Sequence, residues 1–323
     1  MKKTLSLVSI VLIVSLIVNF YFIFSKQTPK NLNSNLNNAS SSQQTENKYP
    51  LLAKRVLIPG YHDILINFLP LRQNLQAKVK PYGDSFAFYF QYLPTGVSIG
   101  VNSANEFDAA SLLKVPFVMA YYHQKERSEL INDNTQVAIT QIYLDKEFGN
   151  LWQRGIGAKV SLGEAVKLSL VESDNTAFHL LADQTSMDDL NAVYEGLDIN
   201  FDDVSGRLYI SAKDYSSIFQ ALYFSSVLTK KDSEEILTYL TETIFHDKLP
   251  GPLPKDIKVA HKIGVYSNKS IFQDCGIVYA PDRPYLLCMI SKSTDAEATR
   301  RMNDISKTIY DYVSTVQAPN NDN

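Results

Sequence analysis

The sequence predicts an α/β fold of the α+β kind, a mainly antiparallel sheet beside an all-helical lobe, and three observations carry that expectation. Period-two apolar alternation appears early, at Phe86, Phe88, Phe90 and Tyr92, and returns in three segments after residue 258. Between them, from Ala109 to about Leu249, apolar residues recur at helical spacing. Strands at both ends of a helical block can close one sheet and leave the helices to form a second lobe. A chain of 323 residues with 45% hydrophobic content has material for a large core.

Taken in order, the chain opens with Lys2 and Lys3 ahead of an uncharged run of twenty residues from Leu5 to Phe24. Twenty helical residues at about 1.5 Å each span roughly 30 Å, enough for a bilayer. The exit, Phe22-Ile23-Phe24-Ser25-Lys26, lacks an Ala-x-Ala cleavage pattern. Residues 1–25 are therefore expected to be an uncleaved single-pass anchor with the domain on the extracytoplasmic side; cleavage would make it secreted. No cysteine lies nearby for lipid attachment. Residues 26–48 read as a polar, disordered linker, in which Asn38-Ala39-Ser40 is composition rather than a glycosylation signal.

The domain is expected over 49–323, starting with a helix over 63–79. A β-hairpin follows, 86–92 and 97–101, turning at Pro94-Thr95-Gly96. Helices are expected over 112–123, 162–170, 177–183, 187–194 and 212–224. Strands follow at 258–265, 272–279 and 285–291, and a helix over 295–316 closes the chain.

Charge and cysteine content exclude several classes. The net charge is −3, and the first 48 residues hold five lysines and one acid, leaving 26 basic against 33 acidic residues over 49–323. Such a domain has no basic excess for phosphate contacts, so nucleic acid is not an expected partner. Two cysteines make neither a disulfide scaffold nor a four-cysteine zinc site. Cys275 and Cys288 lie on strands flanking one turn and could face each other; whether they pair is left open, and they are read as free buried thiols. His62, His123, His179, His246 and His261 show no metal-ligand spacing, so no metal is expected.

Three short motifs carry chemistry. Ser111-Leu112-Leu113-Lys114 opens the first helix of the central block, placing Lys114 one turn from Ser111 on the same face. Apolar neighbours Val115, Pro116 and Phe117 would disfavour the Lys114 ammonium and make its free base available to a serine nucleophile. The Ser111 N–H, at a helix start, is free for a developing oxyanion. Ser173-Asp174-Asn175 sits at a bend between helices and by itself reads as an N-cap. Lys262-Ile263-Gly264 falls in a strand, where glycine permits close approach. Alternation points His261 to the opposite sheet face, in a structural role.

Together these motifs and their surroundings, Ala109–Lys114, Val171–Ala177 and Asp274–Tyr279, resemble the active-site-serine penicillin-recognising enzymes: class A β-lactamases and penicillin-binding proteins. The resemblance runs from about Phe86 to Val316. It implies a five-stranded antiparallel sheet flanked by helices plus an all-helical lobe, and no cofactor. It makes Ser111 the acylated nucleophile, Lys114 its proton acceptor and Ser173 the relay to the leaving nitrogen. Asn175 would hold the substrate amide, and Lys262, with Gly264 beside it, the substrate carboxylate. The backbone N–H groups of Ser111 and Val265 would form the oxyanion hole. The implied partners are a β-lactam or a D-Ala-D-Ala-terminated peptidoglycan peptide; the oligomeric state is left open.

Two departures stand out. Ile263 replaces a hydroxyl residue, so carboxylate recognition falls to Lys262 with Tyr266 or Ser267; one lost hydrogen bond to a charged group costs about 1.5–3 kcal/mol. The loop 196–209 contains no glutamate to activate a deacylating water, which leaves Asp198, Asp202 and Asp203 as candidates. The expected activity is a serine hydrolase or acyl-transferase. The rivals are a poorly deacylating penicillin-binding protein acting as a β-lactam sensor or trap, a wall-peptide binder without turnover, and a structural wall protein. The Phe148–Gln153 stretch is expected at the cleft rim, with Tyr143 and Trp152 lining it.

Overall fold

The computed structural model describes residues 50–52, 66–128, 130–199, 209–266, 268 and 270–315, all within one unit, Tyr49–Asn323. The apolar run from Leu5 to Phe24, the linker, His62, Asp202, Asp203 and Ser267 lie outside them. Among the described residues no helix is long and apolar enough to cross a membrane.

Helix α1 spans Leu69–Val79, starting later than expected because Pro70 is accommodated in a first turn, where its missing N–H is not needed. Strands β1 (Phe86–Tyr92) and β2 (Ser98–Val101) form the hairpin, with Gly96 at φ +74° in the turn and Tyr92 N–H bonded to the Val97 carbonyl at 2.8 Å. Short strand β3 (Glu106–Asp108) leads into α2 (Lys114–Arg127). Strands β4 (Gln136–Ala138) and β5 (Lys159–Ser161) pair ahead of α3 (Leu162–Val171), α4 (Asn175–Gln184) and α5 (Met187–Glu195). Strand β6 (Tyr209–Ser211) pairs back with β3, and α6 (Ala212–Phe224) and α7 (Lys230–Thr241) complete the helical block. Strands β7 (Val259–Tyr266), β8 (Ile271–Val278) and β9 (Tyr285–Lys292) and helix α8 (Asp295–Thr315) end the domain.

Five strands form one antiparallel sheet, as expected, and their order is β2-β1-β9-β8-β7. Its two faces bury different sets. Phe86, Phe88 and Phe90 of β1 and Leu287 and Met289 of β9 face Leu71 and Leu75 of α1 and Met302, Ile305 and Ile309 of α8. Ala87, Ala260, Ile277, Leu286 and Ile290 face the helical lobe. Each fully buried aliphatic or aromatic side chain contributes roughly 1.5–3 kcal/mol, so both layers are held by burial on alternate strand positions.

Three findings differ from the expectations. Helix α7 was not foreseen, because only Ile236, Leu237 and Leu240 supply its apolar stripe; Thr229, whose side chain accepts from the Asp232 N–H, marks its start. The three-residue pairs β3–β6 and β4–β5 join segments too short to carry a period. Cys275 and Cys288 are not free thiols but a disulfide. They stand directly opposite each other in the β8–β9 register, both fully buried, and register brought them together where sequence spacing alone had not.

Candidate active site

Ser111 lies in a single 3₁₀ turn, Ala110–Leu113, rather than in the first α-turn expected for it. Residues three apart eclipse in such a turn, so Lys114 still falls on the Ser111 side. The turn is fixed from three directions. The Asp108 carboxylate accepts from Ala110 N–H at 3.1 Å, the Tyr215 hydroxyl donates to the Leu112 carbonyl at 2.9 Å, and Gln273 Nε2 donates to the Asp108 carbonyl at 2.8 Å. Ala110, immediately before Ser111, has φ +46°, a left-handed conformation that costs a non-glycine residue about 1–2 kcal/mol and persists only where surroundings enforce it.

The second motif caps a helix and also builds the site. Asp174 is the N-cap of α4, accepting from Ala177 N–H at 2.8 Å, and its other oxygen accepts from Leu151 N–H at 2.8 Å. Asn175 N–H bonds to the Phe148 carbonyl at 3.1 Å. Gly149 admits the Asp174 carboxylate so closely that a Cβ would lie 2.0 Å from it. This locks the loop 148–151 against the bend and holds Ser173 at φ +55°, with its side chain buried between two lysines.

Those lysines define the chemistry. Lys114 Nζ bonds to the Ser173 carbonyl, to Ser173 Oγ at 3.2 Å and to Asn175 Oδ1 at 2.6 Å. Lys262 Nζ donates to Ser173 Oγ at 2.8 Å and to the Ile263 carbonyl at 3.1 Å. Ile263 is buried and offers this network only its backbone oxygen. Both lysines are buried, at 2% and 1% exposure. Burial lowers Lys114 to a pKa of about 7, against the opposing pull of Asp174, Asp145 and Glu147. Burial likewise holds Lys262 well below the ordinary lysine range, helped by the charge of Lys114 and opposed by Asp274.

Gly264 lets the edge strand β7 reach the nucleophile turn. A Cβ there would lie 2.2 Å from Gln273 Oε1, 3.1 Å from Leu112 Cγ and 3.2 Å from the Ala109 carbonyl. Val265, next along the strand, and Ser111 then line one pocket of about 330 Å³ together with Asp108, Lys114, Glu147 and Asn175. Ala110, Phe148, Phe178, His179, Tyr266 and Asn268 complete its described wall.

All seven residues singled out from the motifs thus come together: Ser111, Lys114, Ser173, Asn175, Lys262, Gly264 and Val265. Tyr266 lines the pocket as anticipated. The rim differs: Tyr143 is buried with its hydroxyl on Asp183 at 2.7 Å, and Trp152 lies under the Lys146 ammonium, 5.0 Å from its ring centroid. Phe148, from the stretch expected at the rim, lines the pocket. Asp198 is exposed beyond the end of α5 and is not among the lining residues. Sequence reasoning missed Asp108, Glu147, Asn268 and His179. His179 follows Asn175 by one helical turn, a signal that places both on one face. Among the described residues no group of three His, Cys, Asp or Glu side chains is placed to hold a metal ion.

Comparison with known proteins bears on this arrangement. The family model described as "Beta-lactamase enzyme family" matches residues 70–313. Similar solved structures include that of PBP-A, at 22% identity and TM-score 0.69, covering 77% of this chain and 97% of that one. A mutant of PBP-A solved as an acyl-enzyme complex with penicillin G is 21% identical, with TM-score 0.69 and coverage of 76% and 97%. A beta-lactamase from Sphaerobacter thermophilus DSM 20745 is 19% identical, with TM-score 0.70 and coverage of 78% and 99%. At such identities the likeness speaks for the fold. No curated protein matches the chain.

Proposed function

The chain belongs to the beta-lactamase enzyme family, and from that premise we propose that it is an exported, membrane-anchored serine hydrolase that acts on β-lactams and D-Ala-D-Ala-terminated wall peptides through an acyl-enzyme on Ser111. Its fold is that of β-lactamases and DD-peptidases. The observation that carries the reading is the convergence of Lys114 Nζ and Lys262 Nζ on Ser173 Oγ, with Lys114 itself lining the pocket that Ser111 lines.

In this mechanism the free base of Lys114 takes the Ser111 hydroxyl proton as Oγ attacks the amide carbon. The N–H groups of Ser111 and Val265 hold the oxyanion. As the C–N bond breaks, Ser173 gives its proton to the departing nitrogen and regains one from the Lys114 ammonium along their hydrogen bond. Lys262, with Tyr266 and Asn268 at the mouth, receives the substrate carboxylate, and Asn175 positions the amide. Water then cleaves the ester and restores Ser111.

Release is the slow step in this reading. The 196–209 loop has no glutamate, and Asp198 points to no role in the pocket wall; Asp202 and Asp203 remain the candidate bases. The same observation supports a second reading, a sensor or trap that acylates once. Anchoring rests on the uncharged run from Leu5 to Phe24.

Full-length protein incubated with excess penicillin and followed by intact mass tests both, with Ser111→Ala as control. An adduct that forms and clears while penicilloate accumulates supports the hydrolase. A persistent adduct favours the sensor, and no adduct removes Ser111 as a nucleophile for β-lactams.

A further inference from the structure

Behind the site, on the sheet face turned toward α8, lies a second buried polar group that the reaction above does not use. His261 Nδ1 and Asp274 Oδ1 are 2.7 Å apart, and the other Asp274 oxygen accepts from Leu249 N–H at 2.9 Å. His261 and Asp274 are 1% and 0% exposed. Gly276 makes room for the pair, since a Cβ there would lie 2.5 Å from His261 Cβ.

The hydrogen bonding fixes the charge of this pair. His261 Nε2 is buried with no hydrogen-bond partner among the described residues. With Nδ1–H donated to Asp274, a neutral imidazole leaves only a bare lone pair unsatisfied. An imidazolium would leave a charged N–H without an acceptor, which is far costlier in the interior. The pair therefore carries one net negative charge, one residue along β7 from Lys262 and on the opposite face.

The front of the strand needs such a charge. Lys114 and Lys262 both bond to Ser173 Oγ, so an ammonium on either disfavours one on the other. The carboxylates of Asp174, Asp145 and Glu147 act on Lys114, whereas among the described residues Asp274 is the one that acts in favour of a charge on Lys262. Lys248 adjoins Leu249 but is engaged by Asp247 and Asp295 at 2.6 and 3.0 Å. From α8 the facing side chain near Leu249 is the uncharged Ser306, donating to the Leu249 carbonyl at 2.6 Å.

We propose that Asp274 is a positioning residue: its carboxylate, gripped by His261 and the Leu249 amide behind the sheet, keeps Lys262 an ammonium for the substrate carboxylate while Lys114 serves Ser173 and Ser111 as free base. The role deepens the function proposed above and rests on it for its meaning, but the charge state of Lys262 is open to direct measurement.

The test follows the Lys262 ammonium by NMR in lysine-labelled full-length protein, its signal assigned with Lys262→Arg, alongside the pH profile of penicillin acylation. Asp274→Asn keeps an acceptor for Leu249 and removes the charge. Its expected effect is to lower the Lys262 midpoint, and with it the alkaline limb of acylation, by about one pH unit, a tenfold loss at a fixed pH on that limb. His261→Gln, which retains a donor to the carboxylate, leaves the midpoint in place. A folded Asp274→Asn with an unmoved midpoint overturns the proposal, as does His261→Gln moving it equally far. If Asp274→Asn does not fold, His261→Leu removes the carboxylate's donor and is expected to lower the midpoint likewise; an unmoved midpoint there overturns the proposal. Absence of any penicillin adduct on the wild type defeats the proposed function instead, while the NMR titration still decides the role of Asp274.

Discussion

The helical wall and the strand wall of the site each present one buried lysine to the same serine hydroxyl, and they surround it differently. Lys114 stands among three carboxylates, yet burial brings it to about 7. Lys262 has one carboxylate among the described residues, and that one lies on the far side of its own sheet. In the proposed mechanism two lysines bonded to Ser173 take distinct duties, a proton acceptor on one wall and an electrostatic anchor on the other. Environment, more than residue type, divides the labour.

The sharpest way to break this comparison is Lys114→Ala. The expected outcome is a fall in Ser111 acylation of about 10²–10⁴-fold, the usual worth of a positioned base, measured by intact mass against penicillin; a change of less than threefold would remove Lys114 from its role. Next in size is Gly264→Ala, which forces its Cβ against Gln273, Leu112 and the Ala109 carbonyl. Overpacking of this kind costs about 1–3 kcal/mol, read as a lowered Tm together with slower acylation, because the strand wall is pushed off the nucleophile turn. Third is pH. Lys114 is a free base above about 7 and an ammonium below it, so acylation is expected to drop about tenfold per unit as pH falls below that value. A flat profile between pH 5 and 8 would contradict it. The smallest effect is Glu147→Gln. This exposed carboxylate raises Lys114 only through solvent, so its loss is expected to move the acid limb downward by a few tenths of a unit, fading with added salt.

The sequence was legible where chemistry is written in contiguous residues. Ser111 and Lys114, Ser173 and Asn175, and Lys262 and Gly264 each sit within a few positions of one another, and alternation along one strand separated His261 from Lys262 correctly. The aromatic strand 86–92 and the three late strands were equally plain, because each keeps one face apolar. What escaped was set by tertiary contact. Asp108 and Glu147 reach the pocket from a three-residue strand and an irregular loop, neither of which has a period to read. The disulfide depends on β8–β9 register. Helix α7 hides because nine of its twelve residues are polar, aromatic or charged and only its cap announces it.

The pairing of β1 with β9 has a consequence for how the molecule is made. Phe86 lies opposite Ser291 and Tyr92 opposite Tyr285, partners separated by roughly two hundred residues of chain, so closing the sheet requires a long-range contact of the slow kind. A chain delivered amino end first must carry Phe86, Phe88 and Phe90 without their central partner until nearly the last tenth of it has emerged. During that interval the aromatic strand is a sticky edge, vulnerable to proteases and to neighbouring chains. Stopping synthesis before Tyr285 would leave it there, so β9, none of whose residues is in the described pocket wall, is needed to close the sheet on which that wall is built.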